Sequence, residues 1–330
     1  ATLACAFTKN FTQLLVARAF IGIGESGYAP GGAAMLSAAY SEDKRAKALG
    51  IWNASIPLGV GVGLFAGGQI ARHWGWQSAF GLVAFPGMLL ALAAWFLPDY
   101  KTVRAESSEE GVKDLRGFVA KALQLCRTPS LVLTYLGFAM NVDVTTALMT
   151  WLPSYFERTG LARPGEGGTY TMPIFALVLV GAPLGGFLSD AWRRRKPEAR
   201  MIFPALTSLA ASATLLVALL NPGKGAQLYI MIGYGTLATL FIAPAASVTQ
   251  DLVHPGLRAF SYALCVIVQH MCGDIWSPWL VGAMSDRIGL SKAMLIVPAF
   301  GTMAAVFFYI GSRFYNRDLA QVERVELEAE

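Results

Sequence analysis

Apolar residues along this chain come in runs of about 20, the length that carries an α-helix across a bilayer core. After an apolar start at 1–7, nine such runs cover 11–40, 46–71, 76–97, 129–156, 170–190, 200–220, 226–250, 258–284 and 291–313. Gly and Pro fall inside them, as membrane helices tolerate when neighbouring helices re-satisfy the freed backbone groups. Polar residues gather in short connections, except over 98–128, which is long, charged and contains Glu106–Gly111. Within that stretch Val112–Leu125 has the spacing of a short amphipathic helix. The pattern predicts an all-α, multi-pass membrane protein lying in a lipid bilayer. It divides into a helix bundle at 1–97, a linker at 98–128, a six-helix bundle at 129–315 and a tail at 316–330.

Composition agrees with this. The chain of 330 residues is 55% hydrophobic and only 14% charged, where a soluble domain carries about a quarter charged residues. The net charge of +5 suggests nucleic acid only until the positions are considered. With the linker placed in the cytoplasm, 18 of the 26 Lys and Arg fall on cytoplasmic segments, seven on the opposite side, and Arg18 within a run. That bias sets the orientation, and the run Arg193–Lys196 becomes a cytoplasmic anchor rather than a nuclear signal. The expected location is a bacterial inner membrane, with no nucleic-acid partner.

An internal repeat is visible. Lys44-Arg45-Ala46 opens one run and Leu257-Arg258-Ala259 another; Gly67–Trp76 and Val281–Leu290 close them, at offsets of 213 and 214 residues. Two bundle copies joined by a cytoplasmic linker form a transporter architecture. If 258–284 is the fifth helix of its half, so is 46–71, and the first half lacks its first two helices and most of the third. The start at Ala1 rather than Met is expected on that reading.

Charges inside apolar runs are costly and so mark function. Arg18 and Glu25, seven residues apart, share a helix face. A carboxylate facing a guanidinium suits proton coupling, because burial and a nearby Arg act oppositely on its proton affinity; a static structural pair is the alternative. Asp143, in mid-run, is a candidate substrate contact or a cap at a helix break. Asp274 and His270 are further substrate-binding candidates, although a satisfied buried histidine is the plainer reading of the latter. Gly186, Asp190, Arg194 and Arg195 sit on a cytoplasmic loop where they could latch one conformational state. Gly50, Gly59, Gly63, Gly67 and Gly68 form a small-residue face for close helix packing. Cys5, Cys126, Cys265 and Cys272, and the scattered His73, His254 and His270, have no metal-ligand spacing. No nucleotide loop or hydrolase motif occurs, so neither cofactor nor metal nor enzymatic activity is expected.

These residues resemble the major facilitator superfamily. Arg18–Ser26 is similar to its fourth-helix motif, Gly185–Arg195 to its repeated loop motif with Ala191 and Arg193 departing from it, and the glycine run to its fifth-helix antiporter motif with Leu64 in place of a proline. The resemblance implies its 12-helix fold and a monomeric transporter of a small molecule. Gly22–Pro30, Asn53–Gly63 and Gln269–Asp286 resemble the Spinster-like group, which moves lysophospholipids and sphingosine-1-phosphate in animals. That likeness implies proton coupling through Glu25 and Arg18, and an amphipathic or anionic organic solute. The segment Trp151–Phe156 and the Gly–Glu motif are also similar to the anion:cation symporters. A membrane ligand sensor that has kept the fold without transport is the alternative of another class.

Overall fold

The computed structural model describes residues 1–25, 59, 61–96, 115–220, 223–254 and 257–321. Among these every regular element is helical, which bears out the all-α reading. Contacts divide the chain into two compact units, Ala1–Glu109 with Arg163–Met172, and Glu110–Ala162 with Pro173–Glu330.

The first unit contains α1 (Thr2–Ala6), α2 (Phe11–Glu25), a helix over 61–74, and α4 (Trp76–Ala94), the helix at 61–74 being α3 in chain order. Asn10 starts α2 by accepting from the Gln13 amide at 2.9 Å, satisfying a donor that the first turn leaves open. Gly75, at φ 83°, turns the chain between α3 and α4; a side chain there would be strained. Segment 163–172 joins this unit through glycines. A Cβ at Gly168 would fall on the Leu64 carbonyl, and one at Gly68 would stand 3.4 Å from the Gly165 carbonyl. Beside this seam Arg72 donates to Glu166 at 3.0 Å.

The second unit begins with α5 (Leu115–Leu125), the amphipathic helix expected in the linker. It continues with α6 (Pro129–Arg158), α7 (Gly167–Ala176, whose first turns belong to the first unit), α8 (Val178–Arg193), α9 (Ala199–Leu220), α10 (Lys224–Leu237), α11 (Ile242–Asp251), α12 (Arg258–Gln269), α13 (Ser277–Ile288), α14 (Leu290–Ala293) and α15 (Val297–Ala320). Its centre is α6, packed against α15, which in turn packs on α9. Phe138, Phe241 and Phe308 fill the core, with ring centroids 5.1 and 6.3 Å apart in succession. Gly137 makes room for the Phe308 ring, which would stand 2.9 Å from an added Cβ. Where helix backbones meet, glycines again permit it: Gly185 lies on the Leu240 carbonyl and Gly235 on that of Ile174. Several polar groups in this apolar core are bonded inside. Tyr135 bonds with Ser261 at 2.7 Å, Asn141 donates to Ser208 at 2.9 Å, and Gln227 donates to Tyr155 at 2.8 Å.

Among the described residues, six helices are long and apolar enough to cross a membrane: Trp76–Ala94, Pro129–Arg158, Gly167–Arg193, Ala199–Leu220, Gly225–Asp251 and Leu290–Ala320. They match six of the nine expected spans. Most of the runs at 11–40 and 46–71 lies outside the described residues. The run at 258–284, expected as one helix, is instead broken. After α12 the chain makes a π-helical turn, His270–Asp274, and restarts at Ser277 with Pro278 in the first helical turn. Proline suits a helix start because its missing N–H is one the first turn would leave unpaired. Gly273 lets the turn approach α6 so closely that an added Cβ would stand 2.8 Å from the Ala139 carbonyl.

Candidate functional site

The sequence candidates fall into three places. Arg18 and Glu25 lie on α2 with exposed side chains, and the helix buries only Ala17. Among the described residues no ion pair joins them to each other. Their spacing keeps both on one face, open to a partner.

Asp143, His270 and Asp274 come together, although 127 residues of chain separate the first two. Asp143 lies in the middle of α6 and is 2% exposed. The π-helical turn packs against α6 there, and brings Asp274 within electrostatic reach of Asp143. Within the turn His270 Nδ1 and Asp274 Oδ2 are 2.8 Å apart. The four-residue spacing puts both on one face. Ser277 begins the next helix at 0% exposure; its hydroxyl stands beside Asp143 without closing a hydrogen bond. The Trp151 indole donates to the Pro278 carbonyl at 2.9 Å, tying α6 to the start of α13.

The third place is the loop after α8. Asp190 accepts from Arg200 at 2.7 Å, and Arg200 also faces Asp251 Oδ2 at 3.4 Å, the same oxygen that Arg193 meets at 3.5 Å. Arg200 is only 8% exposed, so its two carboxylates supply the compensation a buried cation needs. Arg194 and Arg195 are exposed and join no ion pair among the described residues. Gly186 packs on Ala243, whose Cβ would be 3.2 Å from an added one. Arg200 and Asp251 were not anticipated. Arg200 reads in the sequence as one more base in a basic loop, and Asp251 as the polar end of an apolar run; no local spacing links them. Nearby, Asn316 donates to Glu198 at 3.0 Å, and that bond, helped by a backbone donor, holds the Glu198 carboxyl below its ordinary range.

Of the glycine face, Gly50 lies outside the described residues. Added Cβ atoms at Gly59, Gly63 and Gly67 would meet no described atom within 4 Å, whereas Gly61 and Gly68 make the close approaches, to Met172 and Gly165. No group of three or more His, Cys, Asp or Glu able to hold a metal ion occurs among the described residues.

Long apolar helices, carboxylates and a buried arginine at span ends, and glycine-mediated helix seams define a polytopic membrane protein, and its family is shown by comparison. Residues 1–273 match the family model of the Major Facilitator Superfamily, and the chain belongs to that superfamily. Within it the chain is similar to Spinster proteins. Spinster homolog 1 of Xenopus laevis is 26% identical over 360 residues, covering 98% of this chain and 67% of that protein. Spinster of Drosophila melanogaster is 30% identical over 303 residues, covering 87% of this chain and 49% of that protein. The chain therefore spans between half and two thirds of these relatives' lengths. The crystal structure of a bacterial homolog of the human lysosomal transporter Spinster, in an inward-facing and unoccupied conformation, matches with a TM-score of 0.80 at 21% identity. That match covers 96% of this chain and 81% of the other.

Proposed function

We propose that this chain forms most of a secondary active transporter that works by alternating access. Its cargo is a small amphipathic or anionic organic solute such as a lysolipid, and its driving ion is the proton, taken up at Glu25 under the control of Arg18. One observation carries the reading: a member of a transporter superfamily, similar to Spinster proteins, keeps a carboxylate and a guanidinium on one face of an apolar helix. Ionised groups in such a helix are expensive and persist where they act on ions or substrate. The protein works as a monomer, with its linker in the cytoplasm of a bacterial inner membrane. The likeness of Trp151–Phe156 to anion:cation symporters favours an organic acid as the second reading of the cargo.

Reconstitution tests the proposal. In full-length protein Glu25→Gln is expected to abolish proton-dependent uptake into liposomes while the gel-filtration profile stays unchanged. Proton dependence that survives the substitution removes Glu25 from this role. Specific ligand binding with neither flux nor exchange in the unsubstituted protein identifies a sensor instead.

A further inference from the structure

The second unit holds two carboxylates, buried Asp143 and partly exposed Asp274, that pair with no Lys or Arg among the described residues. On α6, α12, the π-helical turn and α13 the only Lys or Arg residues are Arg158, Arg258 and Arg287, each at a helix end. The other ionisable groups on these elements are engaged or turned away. Tyr135 and Tyr155 bond to Ser261 and Gln227, and Cys265 accepts from Gln269. Tyr262 and Cys272 are exposed, and Glu157 and Asp286 lie near helix ends. The π-helical turn packed on α6 brings Asp274 within electrostatic reach of Asp143, with His270 bonded to Asp274 at 2.8 Å and the Ser277 hydroxyl beside Asp143.

Two like charges in an apolar layer need an outside cation to neutralise them. The geometry selects which one. Among the described residues no three His, Cys, Asp or Glu side chains converge for a metal ion. Asp143 and Ser277, at 2% and 0% exposure, leave no room for an ammonium group. A proton fits. We propose that Asp143 and Asp274 form a second protonation site, separate from Glu25 and loaded through His270. His270, whose side chain is 61% exposed, takes the proton from water and holds it on Nδ1. Transfer to Asp274 Oδ2 leaves a neutral imidazole and a neutral carboxyl, and the charge repulsion with Asp143 disappears. The Ser277 hydroxyl is placed to bond with Asp143 once that carboxylate adjusts. The inference rests on the transport reading for its purpose, but protonation can be measured without transport.

Infrared difference spectroscopy of full-length protein after an acid jump provides the test. In E25Q protein a protonated-carboxyl band is expected to grow on acidification, and both E25Q/D143N and E25Q/D274N are expected to lose that component. His270→Gln should retain the band and delay its rise. A band unchanged in both Asn variants overturns the proposal, and so does one displaced by an alkylammonium ion at constant pH. Should D143N fail to fold, D274N decides, because Asp274 is partly exposed and, among the described residues, bonds to His270 alone. A failed Glu25 role would appear in liposome flux and not in this band, so the two proposals fail separately.

Discussion

Helices α4 and α6 are almost equally apolar, with mean hydropathies of 1.6 and 1.4 over their most apolar 18 residues, yet 6% of the first stretch and 61% of the second is buried within the protein. The difference lies in where polar side chains stand. In α4 they stop after Ser78, and the later turns present Phe85, Leu89, Leu90 and Leu92 outward. In α6, Ser130, Thr134, Asn141 and Asp143 are spread along the helix and all are buried. Hydropathy therefore says whether a helix can cross the bilayer, since lipid and protein interior are equally apolar. Polar positions say which face turns inward, because lipid cannot bond them.

Substitutions can break or sharpen this contrast. The largest effect is expected at Arg200, whose loss leaves Asp251 facing Arg193 alone. Arg200→Ala should cost about 2–3 kcal/mol, the scale for losing hydrogen bonds to charged groups, read as a lowered thermal midpoint of detergent-solubilised protein. Gly185→Val comes next, at about 1–3 kcal/mol for overpacking, because its side chain would strike the Leu240 backbone. On α4 the expectation reverses. Leu90, 71% exposed, should tolerate Ala within about 0.5 kcal/mol, and a larger loss would mean that α4 packs against more than lipid. The smallest effect is ionic. The Asn316 bond favours ionised Glu198 in the folded state, so its stabilisation is present above the unfolded Glu value of about 4.3. It is lost as pH falls through the lower folded value. Asn316→Leu should flatten that acid limb of the thermal midpoint and leave the neutral region unmoved.

Much of this was legible in the sequence. Run length located the spans, and the amphipathic spacing at 112–125 located α5, because both are local periodicities. The cost of burying charge singled out Asp143 and Asp274, and His270 stood out only as a histidine within an apolar run. Their convergence was not legible, since it depends on α6 meeting a turn more than a hundred residues later. The break at 270–277 was also hidden. Gly273 and Pro278 look like the many tolerated glycines and prolines of membrane helices until the Ala139 carbonyl is seen against the turn. Arg200 was concealed by its company, a loop in which every neighbouring base serves equally well as a cytoplasmic anchor.

Segment Arg163–Met172 belongs to the second half by sequence and to the first unit by contact. The two halves are consequently not exchangeable cassettes. A chimaera joined in the linker would bring a foreign strip against the resident Leu64 and Arg72, and any residue larger than glycine at position 168 would collide with backbone there. Recombination between relatives is therefore constrained to exchange this strip together with 61–74, two stretches that inheritance does not keep side by side.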